Sequence, residues 1–238
     1  MKENQIIGEL VANDYRTASV FKKYGIDFCC QGNRTIQEAC DKKNIDTQKV
    51  LEDLKAKVQA NSETTTDYQS WPLDLLADYI EKIHHSYVQE KTIEIQPYLD
   101  KICKVHGEHH PELMDIREEF NASAGELAAH MKKEELILFP FIRKMVKAKQ
   151  ESTKIDAAHF GTVKNPIQMM MDEHTVEGNR FRKIEELSNN YTPPLDACNT
   201  YRVSFALLKE FEQDLHLHIH LENNILFPGA MEVEKELV

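Results

Sequence analysis

Apolar residues recur three or four positions apart along most of the chain, the period of a helix with one face turned to a core. Ile6 to Val11, Thr17 to Tyr24, Ile36 to Lys43 and Thr47 to Val58 form four short segments of this kind, punctuated by Gly25 and Gly32, with Asp46 placed to cap the last. A polar stretch around residues 60–67 then carries no periodicity. Four long segments follow. The first begins after Trp71-Pro72 with a stripe of Leu73, Leu76, Ile80, Ile83 and Tyr87, and Pro97 is expected to kink or break it. The second starts near Pro111 and carries Leu113, Ile116, Phe120, Leu127, Ile137 and Phe141. The third, from about Asn165, carries Ile167, Met170, Met171, Phe181 and Ile184; the fourth carries Tyr201, Phe205, Leu208, Phe211, Leu215 and Ile225. The pattern predicts an all-α protein. A small helical domain (1–60) and a linker (61–71) precede an up-down-up-down four-helix bundle (72–238). The linker, polar and without apolar anchors, predicts a small domain that moves relative to the bundle.

Six polar residues interrupt these apolar faces: His84, His130, Glu134, His174, His218 and Glu222. Four of them belong to an internal repeat. His-Met-Lys-Lys-Glu-Glu-Leu-Ile-Leu-Phe-Pro (130–140) returns 88 residues later as His-Ile-His-Leu-Glu-Asn-Asn-Ile-Leu-Phe-Pro (218–228), with six of eleven positions identical. Each copy pairs a His with a Glu at i+4, one turn apart on the same helix face. Successive histidines of the set lie 46, 44 and 44 residues apart, and each midpoint falls in an expected turn. An antiparallel bundle with that spacing brings all four imidazoles to one level.

Buried carboxylates need a cation, and no Lys or Arg shares those faces. Two metal ions bridged by Glu134 and Glu222, each taking two histidines as well, would satisfy the set. Nitrogen and oxygen donors together suit iron, and also manganese or zinc. Haem would use two of the histidines and leave the glutamates unexplained. Glu126, one turn before His130, and Glu173, beside His174, are candidates for acids supporting the site; each is equally readable as a solvated helix residue. His85 falls on the outer face with Glu81, Lys82 and Gln89, and His216 and His220 fall on the outer face of the last helix. These are expected to meet solvent, as are His106, His109, His110 and His159.

The net charge of −11 argues against nucleic-acid binding, and the longest apolar run, about seven residues, is too short to span a membrane. With no hydrophobic core of a secretory signal after the first residues, a cytoplasmic location is expected. Five cysteines then read as thiols. Cys40, Cys103 and Cys198 are expected to be small buried residues. Adjacent Cys29 and Cys30 would form only a strained disulfide, so a redox, metal or nitric oxide contact stands against a structural role.

Tyr-Gly-Ile-Asp-Phe-Cys-Cys-Gln-Gly with Arg-Thr-Ile-Gln-Glu-Ala-Cys (24–40) resembles the small N-terminal domain of the di-iron repair-of-iron-centres family. His84, His130-x-x-x-Glu134, Asp-Glu-His174 and His218-x-x-x-Glu222-Asn-Asn-Ile-Leu-Phe-Pro resemble its hemerythrin-like bundle, so the likeness spans nearly the whole chain. The resemblance implies a homodimeric stress protein with two bridged iron ions. It implies repair of iron–sulfur clusters damaged by nitric oxide or oxidants, by iron donation, with apo or damaged iron–sulfur proteins as partners. Binding or reduction of nitric oxide at the same centre is the alternative, with dioxygen a further possible ligand. The chain lacks the fifth histidine and asymmetric carboxylates of oxygen-carrying hemerythrins, which turns the reading away from oxygen storage.

Overall fold

A computed structural model describes residues 1–60, 66–156 and 158–237; residues 61–65 of the linker expected at 61–71 lie outside the described residues. The described chain is helical, with two isolated β-bridges and no strand. Helices α1 (Ile7–Asn13), α2 (Ala18–Lys23), α3 (Ile36–Lys43) and α4 (Thr47–Gln59) form the small domain. Local chemistry sets its boundaries. Thr35 and Glu38 close a reciprocal cap at the start of α3, Asn44 ends it in the left-handed conformation, and Asp46 accepts from Gln48 N at 2.9 Å to start α4.

The bundle has four arms, three of them interrupted by a π turn. The first runs through α5 (Leu73–Tyr79), a π turn at Ile80–His85 and α6 (Ser86–His106). The second runs through α7 (Glu112–Lys133), a π turn at Glu134–Leu138 and α8 (Phe139–Glu151). The third is α9 (Lys164–Leu187), and the fourth runs through α10 (Asn199–Leu221), a π turn at Glu222–Leu226 and α11 (Phe227–Leu237). Of the expected kink or break at Pro97, the break does not occur: helix α6 continues through it.

The π turns explain two errors of phase. A π turn absorbs one extra residue, so a stripe projected at 3.6 residues per turn slips beyond it. Ile83 and Ile137, both expected in the core, are 50% and 39% exposed. Val88 and Leu138 are buried instead.

Two apolar clusters fill the molecule. One contains Leu76, Ile80, Leu138, Phe139, Ile142, Ile167, Met170 and Phe227. The other runs from Val88, Leu99, Phe120, Phe181, Phe211 and Leu215 into the small domain through Phe21, Phe28 and Ile36. Seven buried His and Glu residues, at 84, 85, 130, 134, 174, 218 and 222, occupy the layer between them.

The second cluster corrects the expectation of a mobile small domain, because the two units share one core. Polar contacts fix the docking further: Arg182 meets Asp27 at 3.2 Å, Lys22 pairs with Glu212, and Asn224 Nδ2 donates to the Phe28 carbonyl at 3.3 Å. Gly8 makes the approach possible, since a Cβ there would lie 2.2 Å from Asn224 Oδ1. The polar linker marked a boundary in the chain and said nothing about the surfaces on either side of it.

Candidate metal centre

Two groups of donors converge in the polar layer. Ligand atoms of His130, Glu134, His174 and Glu222 lie within 4.8 Å of one another, and so do those of His85, Glu134, His218 and Glu222. Both carboxylates belong to both groups. Glu222 places Oε1 3.1 Å from His218 Nε2 and Oε2 3.1 Å from His174 Nε2. Glu134 Oε2 lies 3.3 Å from His130 Nε2 and 3.4 Å from His85 Nε2. The i,i+4 pairs meet because each His closes the last α turn before a π turn that its Glu opens.

The other ring nitrogen of most of these histidines is already occupied. His130 Nδ1 donates to Glu173 at 2.7 Å and His85 Nδ1 to Glu135 at 3.1 Å. His174 Nδ1 bonds Asn223 Oδ1 at 2.9 Å, and the Asn223 amide orientation is determined, because its Nδ2 donates to the Cys29 carbonyl at 3.2 Å. With Nδ1 carrying the hydrogen, each of these rings turns a lone pair on Nε2 toward the centre.

That arrangement fits a cation. His130 Nε2 and His174 Nε2 face each other at 3.0 Å. Both oxygens of Glu134, one oxygen of Glu222 and His85 Nε2 are buried without hydrogen-bond partners. Among the described residues the ion-pair partners of these two fully buried glutamates are all histidines. A single proton relieves one ring pair only. Burial disfavours the His130 imidazolium, yet Glu134 and Glu173 outweigh it and hold its pKa at about 10. Burial also pushes the Glu222 carboxyl up, and His218 and His174 more than reverse this, leaving it well below the usual range. Metals would replace such protons.

His84, expected among the ligands, is buried but lies in neither group; its neighbour His85 takes the place. The π turn at Ile80–His85 rotates the pair, so that His85 leaves the outer face where uninterrupted periodicity put it. His84 instead stacks on His218, with centroids 5.6 Å apart and planes at 13°, and its Nδ1 reaches Asp214 at 3.0 Å. The remaining expected ligands all occupy the centre. Of the two candidate supporting acids, Glu173 holds His130, while Glu126 is 56% exposed and pairs with Arg180 at 2.9 Å. Both line a cavity of about 240 Å³ that reaches His130 and His174.

His220 is buried rather than solvent-facing, and His216 is half-buried. The small domain covers both: Phe28 lies 6.0 Å from His216 and 6.1 Å from His220, and Tyr15 lies 5.5 Å from His220. Burial drives their pKa values down to about 4 and about 3. Cys40 and Cys103 are buried as expected, but Cys198 is exposed. The Tyr201 backbone N–H, with His106 Nε2 3.2 Å from the sulfur, lowers its thiol to about 7. Cys29 Sγ and Cys30 Sγ lie 3.7 Å apart, and Cys30 Sγ reaches the His174 carbonyl at 3.2 Å. Sequence reasoning missed Asp214, Glu135 and Asn223; of these Glu135 and Asn223, which occupy the same repeat position directly after Glu134 and Glu222, carry a local signal.

Comparison with known proteins agrees with this geometry. The hemerythrin HHE cation binding domain family matches residues 76–230, and a family described as a domain of unknown function matches residues 3–58. An iron–sulfur cluster repair protein ScdA of Staphylococcus haemolyticus is 31% identical over 222 residues, covering 93% of this chain and 96% of its own. An iron–sulfur cluster repair protein YtfE of Yersinia pestis is 34% identical over 231 residues, covering 97% and 98%. No helix among the described residues is long and apolar enough to cross a membrane. With such identity along almost all of both chains, the protein belongs to the family of iron–sulfur cluster repair proteins.

Proposed function

We propose that the centre holds two iron ions and that the protein repairs damaged iron–sulfur clusters by donating iron to them. One observation carries the two-ion reading: Glu134 and Glu222 belong to both donor groups, as bridging carboxylates would. His130 and His174 would complete one site, and His85 and His218 the other. When bound, the ions would supply Lewis acidity and exchangeable coordination positions. The protein's own residues do the rest. Glu135, Glu173 and Asn223 fix the ring orientations, and the two apolar clusters keep bulk water from the layer. The repair reading is supported by the relatives' names and by the match of both domains.

Two measurements test this. Elemental analysis should find about two irons per chain, and Glu222→Ala should lose most of both; full occupancy in that variant would sink the bridging assignment. Iron-loaded protein incubated with a nitric oxide-damaged iron–sulfur enzyme should restore activity beyond matched free iron. Recovery no greater than free iron gives would exclude donation. Each four-residue group leaves coordination positions for an outside ligand, which is also what binding or reduction of nitric oxide requires. Nitrous oxide accumulating over repeated turnovers would favour that second reading.

A further inference from the structure

We propose that Cys29 and Cys30, with Asp27, form a separate site for a thiophilic divalent cation such as zinc, docked against the helix that carries His174. This inference does not rest on the iron reading of the bundle.

The turn is built to present two thiols together. Asp27 Oδ1 accepts from the backbone N–H groups of Cys29, Cys30 and Gln31 at 3.1, 2.9 and 3.3 Å, curling the chain around one carboxylate oxygen. Ligand atoms of Asp27, Cys29 and Cys30 then lie within 4.8 Å of one another, the only such group among the described residues outside the polar layer. The sulfurs are 3.7 Å apart. Two sulfurs each about 2.3 Å from a tetrahedral ion stand about 3.8 Å apart, so chelation needs almost no movement. A disulfide would draw them in to about 2.05 Å.

The surroundings favour the same occupant. Two thiolates and one carboxylate carry three negative charges, which a divalent ion and the Arg182 guanidinium, 3.2 Å from Asp27 Oδ2, would balance. Thiolate donors select soft or borderline cations over magnesium or calcium. Helix α9 makes room for the pair with Gly178, where a Cβ would lie 2.9 Å from Cys30 Sγ. A cavity of about 210 Å³, lined by Cys29, Asp27, Gly178, Glu185 and Glu212, offers space for a further ligand. Loading would form two metal–sulfur bonds and release the two thiol protons to solvent, one of which Cys30 now donates to the His174 carbonyl.

Cobalt(II) reports on the site, because thiolate ligation gives a near-ultraviolet charge-transfer band that histidine and carboxylate donors do not. Titrated into iron-loaded, reduced full-length protein, cobalt should bind at about one equivalent per chain with this band, and zinc should displace it. The double variant Cys29→Ser, Cys30→Ser should lack the band. Gly178→Ala, which removes no donor but crowds Cys30, should weaken binding at least tenfold. In the unmodified protein, zinc should protect Cys30, the partly exposed thiol of the pair, but not the exposed Cys198 from alkylation, which keeps the test independent of how the variants fold. Absence of the band, its persistence in the double variant, or equal alkylation with and without zinc would overturn the proposal.

Discussion

Every histidine of the two donor groups except His218 has its outer nitrogen held by a named acceptor, and the centre's selectivity for cations begins there. A ring free to rotate or change tautomer presents a lone pair only part of the time; a ring tied at Nδ1 presents it always. Asn223→Ala and Glu135→Gln are therefore expected to weaken metal binding by about 10–100-fold without removing a donor, as chelator competition would show. The adjacent histidines offer a sharper contrast. On the proposed two-ion reading, His85→Ala should lose at least one ion, while His84→Ala should lose none, because His84 lies outside both donor groups. Equal losses in the two variants would show that His84 also ligates. The repeated His-x-x-x-Glu pairs were legible in the sequence because each completes an ordinary α turn before its π turn starts. The choice between His84 and His85 was not, because it depends on a turn that the alternation of polar and apolar residues does not announce.

At the scale of the element, that turn did leave a trace. Ile80 and Val88 are both buried, eight residues apart, which an uninterrupted α-helix would separate by about 80° around its axis. Seven residues would align them. Deleting Ile83, half-exposed within the π turn, should therefore keep both flanking stripes on the core and convert the turn to α-helix. In the shortened helix His85 takes the register of residue 84, which uninterrupted periodicity turns to the core, so far-ultraviolet circular dichroism and metal content should both be retained. Loss of metal would mean that the π turn itself, and not the register alone, presents His85. Two of the three π turns also expose an apolar residue beside the ligands, Ile83 at 50% and Leu136 at 72%, a by-product of the same rotation.

For the whole molecule, the docked small domain is the part that sequence periodicity hid. It covers what is otherwise the polar back of the last helix, so His216 and His220 looked solvated when the chain was read one helix at a time. Their titration gives the docking a pH dependence. Both have folded pKa values, about 4 and about 3, below the ordinary value of 6.5, so the unfolded chain binds more protons between these limits. Their contribution to stability is complete above about pH 6.5 and lost as the pH falls toward 3. His216 is surrounded by Lys22, Asp27, Glu185 and Arg182, whose charges modulate the midpoint. Thermal unfolding of metal-free protein should show a stability falling from pH 6.5 to 4, and His220→Phe should flatten the lower part of that profile. An unchanged profile in the variant would assign the acid sensitivity elsewhere.

Asn223 joins these scales. Its two amide atoms serve two masters, one holding the ring of His174 and the other the backbone of Cys29, and neither can be exchanged for the other. Thermodynamic reciprocity then applies: whatever factor ion loading adds to the grip on the small domain, the small domain adds to the grip on the ions. Hydrogen exchange in α1–α4 should slow on metal loading, and Asn223→Ala should abolish the difference. A recipient that prises the small domain away would, by the same relation, find its cargo already loosened.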